Sequence, residues 1–243
     1  MSVVRRDRLP RAHDLRERMD DPTCDPVRLT RTFAQFGILN DLLSGWRRAW
    51  RTVLRPHARA AAREAGVATL LDVGCGGGDV ARRLARWAAD DGVPLAITAI
   101  DRDPRALAFA RARPTPAGVT YAGDRPGEDV PDLLAAGRHF DLVVSNHVLH
   151  HLPEDELASF LTATDALAVR AVLHDDLFRT PWALPAFAVF ALPFRGSFVA
   201  VDGRRSIRRA WRPDELAPHL PPGARAARRG AFRLRVLREA STP

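Results

Sequence analysis

Ten residues constrain this chain more than any other stretch: Leu70-Leu71-Asp72-Val73-Gly74-Cys75-Gly76-Gly77-Gly78-Asp79. A short apolar run enters glycines at every second position, then a helix-prone segment, Asp79–Ala89. Glycine suits a backbone that must turn tightly and let a ligand approach the main chain. The helix N-terminus behind such a turn offers free N–H groups to a carboxylate or phosphate. A dinucleotide fingerprint needs a third glycine or alanine where Asp79 stands, and an acid there repels a pyrophosphate. A P-loop needs lysine, and all 37 basic residues here are arginine.

The surrounding pattern places this turn in a sheet. Thr69–Val73, Leu95–Ile100, Val119–Ala122, Phe140–Ser145 and Ala171–His174 read as strands. Asp79–Ala89, Pro104–Arg111 and Pro153–Leu167 read as helices. Short apolar strands alternating with helices imply a parallel sheet covered on both faces. Pro213–Leu220 reads as a short helix. Ala231–Leu237, with Phe232, Leu234 and Val236 against Arg233 and Arg235, reads as a closing strand, antiparallel at the sheet edge.

Upstream, Leu29, Phe33, Phe36, Leu39 and Leu43 fall three or four apart, and Trp46, Trp50, Val53 and Leu54 continue the stripe to Pro56. Ala58–Ala65 is helix-prone and Gly66 is a stop. Residues 1–66 are therefore expected to form a helical cap, whose aromatic stripe serves as core or as a lid. Residues 67–243 form the main α/β unit, with an insertion at about 178–210. The start of the chain, weakly helical around Ala12–Met19, is expected to fray.

Composition narrows the class. With 46% hydrophobic residues the chain can bury a core. A net charge of +8 and a pI near 11.1 invite a nucleic-acid reading. The absence of lysine and the scarcity of isoleucine, asparagine and tyrosine point instead to a compositional bias toward arginine. Arg204–Arg209 and Arg225–Arg229 are the two runs that could form a basic patch. Cys24 and Cys75 are too few for a disulfide framework, so both are expected as thiols in a cytoplasmic protein. Arg5 and Arg6 are followed by charged residues, not by an apolar export segment. The apolar run Trp182–Phe194 is short and carries Pro185 and Pro193, so no stable membrane insertion is expected.

Three more segments carry chemistry. Asp101 ends its strand 23 residues after Gly78, where a carboxylate can accept both hydroxyls of a ribose. Asp124, after Tyr121-Ala122-Gly123, could accept from an adenine amino group. Phe140-Asp141-Leu142-Val143-Val144-Ser145-Asn146 opens into the cleft at the sheet's C-terminal edge. Together, and with His147-Val148-Leu149-His150-His151-Leu152, these segments resemble the class I S-adenosylmethionine-dependent methyltransferases over about Leu70–Asp175. Within that family the chain is similar to small-molecule enzymes acting on quinones and phenols. Phe36–Asn40 and His174–Arg179 resemble bacterial enzymes associated with polyketide pathways.

The resemblance implies a Rossmann-like fold: a seven-stranded, mostly parallel sheet with helices on both faces. It implies S-adenosylmethionine as cofactor. Asp72, Gly74, Gly76 and Gly78 would wrap the methionine moiety and sugar. Asp101 would hold the ribose, Arg102 would lie over the adenine, Asp124 would meet its amino group with Arg125 flanking, and Asn146 would sit near the methionyl end.

For catalysis the expected residues are His147 and His174. The latter is followed by Asp175 and Asp176, and an imidazole with an ordinary pKa of about 6.5 suits removal of a phenol proton. The acceptor would meet Phe33, Phe36, Asn40, His151, Arg179, Trp182 and Phe187, with Phe190 and Phe194 behind as pocket wall or dimer contact. None of these spacings demands a metal. The expected reaction is O- or C-methylation of a small phenolic or quinone-like acceptor, with no nucleic-acid partner and a possible homodimer. The competing readings are a nucleic-acid methyltransferase, a non-catalytic cofactor-binding module and, more distantly, a nicotinamide dehydrogenase.

Overall fold

The computed structural model describes residues 9–240; Arg5 and Arg6 lie outside them. Seven strands form one sheet in the order β3-β2-β1-β4-β5-β7-β6. They are β1 (Ala68–Val73), β2 (Leu95–Ile100), β3 (Val119–Ala122), β4 (Phe140–Asn146), β5 (Ala168–Leu177), β6 (Arg225–Arg229) and β7 (Arg233–Glu239). The first five are parallel. β7 runs antiparallel to β5, and β6 antiparallel to β7. β1 pairs with β2 on one side and β4 on the other, so the strand order reverses beside it. A crevice opens at such a switch point, outside the C-terminal strand ends.

Alternation along the strands supplies two cores. Leu70, Ile97, Leu142 and Val144 pack on one face with Trp46, Trp50, Leu54, Ala81 and Leu84. Leu71, Val73, Val143 and Val172 pack on the other with Phe140 and Leu167. The helices are α1 (Pro26–Leu43), α2 (Trp46–Ala49), α3 (Arg55–Ala65), α4 (Asp79–Asp90), α5 (Pro104–Arg111), α6 (Val130–Ala135), α7 (Glu154–Leu167), α8 (Ala183–Phe190), α9 (Val199–Arg209) and α10 (Pro213–Leu216). Asp25 caps α1 by accepting the N–H groups of Val27 and Arg28. α1 packs on α4, α5 and α9, which sets it over the crevice.

Several elements differ from the sequence reading. Pro56 does not end the helix it enters: a π-helical turn at Trp50–Leu54 joins α2 to α3, widening the coil where proline has no N–H to give. β5 extends through Asp175 and Asp176, because buried partners meet those two carboxylates. The arginine run 225–229 forms β6, an edge strand whose charge discourages pairing with another sheet. The apolar run after β5 becomes α8.

The chain start is neither helical nor frayed where it is described. Asp202 accepts the N–H groups of Arg18 (2.8 Å) and Met19 (3.0 Å), and Ala12 N–H donates to the Arg208 carbonyl (3.0 Å). Residues 9–25 thus form an irregular strap over α9. Among the described residues no helix is long and apolar enough to cross a membrane.

Candidate functional site

A cavity of about 1140 Å³ occupies the crevice. Its first wall is the glycine turn. The N–H groups of Gly74 and Cys75 donate to the Ile100 carbonyl (2.8 and 3.0 Å), tying the turn to the end of β2. Gly74 has φ +70°, and a Cβ there would lie 2.4 Å from Val148. Gly78 is required for a different reason. It caps α4 in the left-handed region, and a Cβ would strike the Tyr121 ring. Gly74, Cys75, Gly76 and Gly77 line the cavity; Gly78 does not, which corrects its expected ligand role to a packing one.

Two carboxylates define this end. Asp101 accepts the N–H of Gly76 on one oxygen (2.7 Å) and that of Asp103 on the other (2.9 Å). Each oxygen keeps a lone pair for a ligand hydroxyl. Asp72 has no hydrogen-bond partner on either oxygen, although it is buried and borders the cavity. Burial, with Asp79 and then Asp101 nearby, pushes its pKa up to about 8. An unpartnered buried carboxylate of this kind fits a ligand that brings a positive centre. Asp79 itself is engaged by Arg83 and by Asn40 Nδ2 (3.0 Å).

The expected adenine contacts are rearranged. Both oxygens of Asp124 accept from Arg111 (2.7 and 2.9 Å), which holds its pKa down to about 2, and it does not line the cavity. Arg125 is exposed and also off the cavity. Glu128, in the same loop, does border the cavity and accepts the Gly123 N–H (2.8 Å). Arg102 lines the same region, 3.5 Å from Asp129. A carboxylate four residues past the expected one gave no local signal, because its loop position depends on the turn at Gly127.

Beyond the C-terminal end of β4 lies a polar cluster. Asn146 Oδ1 accepts from Trp46 Nε1 (3.2 Å) and Arg233 Nη2 (3.0 Å), and its Nδ2 donates to Asn40 Oδ1 (3.2 Å). His147 borders the cavity in a strained backbone conformation, φ +61°. Its Nε2 faces Arg233 Nη1 at 2.7 Å. Since guanidinium only donates, that nitrogen is the acceptor. Burial, then Arg233, hold the His147 pKa well below its ordinary value. His147 is therefore a neutral ring whose Nε2 lone pair is occupied, not the expected free base. Arg233 and Arg235 together clamp buried Asp175.

His150 is held on both sides, by Asp176 at Nδ1 (2.7 Å) and Glu17 at Nε2 (3.3 Å). Burial opposes its charge, but these carboxylates raise its pKa to about 9. Glu17, from the strap, is buried and also accepts from Ser206 Oγ (2.7 Å). Against the cost of burial, His151 and His150 hold its pKa down to about 2. His151 is one-third exposed, with Nε2 3.8 Å from Glu17 and Nδ1 3.5 Å from Asp20. It is the imidazole in the cavity wall least committed to neighbours. Donor atoms of Glu17, His150 and His151, and of His147, His150 and Asp176, converge closely enough for an ion. His150, common to both groups, already spends both ring nitrogens on carboxylates.

Three expected residues lie elsewhere. His174 is buried behind the sheet end, with Nδ1 on Ser145 Oγ (2.8 Å) and Nε2 near Thr164 Oγ1 (3.3 Å). Burial lowers its pKa to about 4, and it does not border the cavity, so it is a core histidine. Arg179 is buried between Glu215 and the carbonyls of Ala210 and Leu9, a structural tie and not an anion holder. Trp182 is 78% exposed and does not border the cavity. Phe33, Phe36, Asn40 and Phe187 do line it, whereas Trp46 and Trp50 are core. Glu17 and Arg233 were missed because the strap has no periodicity and Arg233 reads as the polar side of an alternating strand.

Comparison with known proteins agrees with this geometry. A family described as a methyltransferase domain matches residues 70–168. A ubiquinone biosynthesis O-methyltransferase of Methylobacterium sp. (strain 4-46) is 37% identical over 159 residues, 64% of this chain and 58% of that protein. A second protein of that name, from Cereibacter sphaeroides, is 38% identical over 94 residues, covering 39% and 34%. The chain thus spans little more than half, and a third, of these two relatives. An uncharacterized methyltransferase of Mycobacterium tuberculosis is 31% identical over 177 residues, covering 71% of this chain and 83% of that protein. In fold, the plantazolicin methyltransferase BpumL in complex with SAH is similar, with TM-score 0.53 at 10% identity over 88% of this chain and 96% of that one. With the glycine turn, Asp101 and the switch-point cavity in place, the chain belongs to the class I S-adenosylmethionine-dependent methyltransferases.

Proposed function

We propose that this protein methylates a hydroxyl of a small, flat, largely apolar phenol or hydroquinone, a class that includes quinone precursors and aromatic polyketide products. The observation that carries the reading is one continuous cavity lined by the glycine turn, Asp72 and Asp101 and also by His151, Phe33, Phe36 and Phe187. The names of the ubiquinone relatives favour oxygen over carbon as the methylated atom.

S-adenosylmethionine, when bound, supplies a methyl group on a sulfonium centre. Asp101 offers lone pairs to ribose hydroxyls, Arg102 and Glu128 border the adenine region, and Asp72 faces the positive part of the ligand. The phenyl rings of Phe33, Phe36 and Phe187 exclude water. That favours a phenolate meeting a sulfonium, because charge is neutralised in the transition state. Alignment alone is worth up to ~7–11 kcal/mol in ideal cases. His151 takes the phenolic proton, its ring oriented by Glu17 and Asp20. His147, fixed by Arg233, and Asn146 position the acceptor.

A nucleic-acid acceptor is disfavoured by how the arginines are used. Arg205 contacts Asp202 and the Arg16 carbonyl, Arg209 faces Glu17 and Asp20, and the second run builds an edge strand. The two thiols fit a reducing, cytoplasmic setting. Calorimetry with S-adenosylhomocysteine and transfer of labelled methyl groups to a panel of catechols and hydroquinones test the reading. Binding with transfer to at least one panel member is expected. Binding without any transfer would remove the proposed acceptor class, and no binding at millimolar ligand would remove the cofactor.

A further inference from the structure

An apolar face lies on the outside of the cavity wall, and the proposed chemistry does not use it. Along α1, Ile38 and Leu42 are one turn apart and 53% and 64% exposed. Beside them, Val189 and Leu192 are 69% and 63% exposed. Between the two segments runs a shallow groove lined by Gln35, Phe190, Pro193 and Phe194. Trp182, two helical turns before Val189, extends the same face of α8. Exposed apolar surface on this scale marks an interaction site.

The charges around it are mostly basic. Pro26–Asn40 and Leu177–Val201 contain no acidic residue, although the chain holds 29, and Asp41, beside Leu42, is paired with Arg83. The two segments contain four arginines. Two of these are exposed beside the patch: Arg31, whose guanidinium lies over Gly196, and Arg195 next to it. An apolar and tryptophan-bearing face with arginine at its edge matches the interfacial zone of an anionic bilayer. Across a two-fold axis, by contrast, the same arginines would come close to like charge.

We propose that α8, with the exposed stripe of α1, docks this protein on the surface of a lipid bilayer carrying anionic headgroups. The placement has a functional sense. α8 is one helix thick between the patch and the cavity: Ala183, Ala186, Phe187 and Phe190 line the cavity, while Trp182 and Val189 face outward. An apolar acceptor dissolved in the bilayer would then reach the cavity past α8 without crossing water. The surface inference does not depend on which acceptor is methylated.

Vesicle co-sedimentation tests it, comparing phosphatidylcholine alone with equal parts phosphatidylcholine and phosphatidylglycerol. Binding to the mixed vesicles and weaker binding to phosphatidylcholine are expected. Trp182 supplies an internal probe, since Trp46, Trp50 and Trp211 are buried and Trp87 is half-buried on α4. Lipids brominated on their acyl chains should quench its fluorescence, and Trp182→Phe should abolish most of that quenching. The double variant Val189→Asp/Leu192→Asp should weaken partitioning at least about tenfold, given the apolar area withdrawn, and leave S-adenosylhomocysteine affinity unchanged. Arg31→Glu/Arg195→Glu should remove the preference for phosphatidylglycerol. Failure of the wild-type protein to bind either vesicle overturns the proposal. So does a stable dimer in light scattering that the Val189→Asp/Leu192→Asp variant dissociates, because the occupant is then a second copy. Quenching of the buried tryptophans without Trp182 would also overturn it, because another face would be docking.

Discussion

Asp72 at the end of β1 and Asp175 on β5 are both fully buried carboxylates at the same edge of the sheet, and their surroundings are opposite. Asp72 has no partner and is pushed up to about 8 by burial and by two neighbouring acids. Asp175 is clamped by two guanidiniums, and the charges around it are matched in turn: Arg233 reaches Asn146 and His147, and His150 lies between Asp176 and Glu17. The carboxylate beside the glycine turn is left unsatisfied, and the cluster around Asp175 is closed on itself. A group awaiting a positive ligand gains from being left without a partner. A group that must orient an acceptor gains from being fixed beforehand.

The largest effect should come from breaking the closed cluster. Asp175→Ala leaves Arg233 and Arg235 buried without their carboxylate. Removing one partner of a buried pair costs about 3–5 kcal/mol, measurable as a lowered denaturation midpoint. An unaltered midpoint would mean that the clamp is solvated. Next, Glu17→Gln should lower methyl transfer by ~10²-fold, the low end for lost acid–base assistance. Cofactor affinity should stay near normal, and Glu17→Asp should recover part of the loss. Equal losses in binding and turnover would place Glu17 beside the cofactor instead. Asp101→Ala should weaken S-adenosylhomocysteine by ~1.5–3 kcal/mol, the scale of hydrogen bonds to a charged group.

The two regions also differ in pH response. Asp72 carries a raised pKa, so its contribution to stability is present below about 4 and is lost as pH rises through about 8. Asp72→Asn should therefore stabilise the ligand-free protein near pH 8, by ~1–3 kcal/mol. It should weaken the cofactor and abolish the proton release expected when a cationic ligand binds wild type below pH 8. Calorimetry in buffers of different ionisation enthalpy reads that release directly. His150, raised to about 9, contributes stability that is full below about 6.5 and lost as pH climbs through 9; Glu17, held at about 2, contributes above 4.5 and loses it toward 2.

This division also explains what was legible in the sequence. The glycine turn, Asp72 and Asp101 lie within one strand–turn–helix–strand unit, where local backbone demands dictate residue type. Strand alternation and helix periodicity likewise exposed the parallel sheet. The polar cluster is assembled from residues 17, 147, 150, 151 and 233, which meet only after the chain has folded. Glu17 sits in a segment without period, and polar residues inside β5 and β7 break the alternation by which buried faces are recognised. Asp124 was misplaced because two acids near one loop are equivalent in sequence, and Arg111 decides which of them faces outward. β6 was hidden because an arginine-rich edge strand has the composition of a basic patch.

The smallest effect should fall on His174, and it separates chemistry from packing. An imidazole following a strand and preceding two acids has the local look of a general base, but both ring nitrogens face buried hydroxyls and Phe160 packs on the ring. His174→Gln keeps part of that bonding, so it should cost about 1 kcal/mol of stability and leave turnover of the folded protein unchanged. Its pKa is lowered to about 4, so the wild-type ring contributes stability that is complete above about 6.5 and lost as pH falls through 4. The variant should lack that acid-side slope in its unfolding free energy. A turnover loss larger than the stability loss would return His174 to the reaction. A slope that survives the substitution would assign the acid sensitivity to the carboxylates around His150 instead.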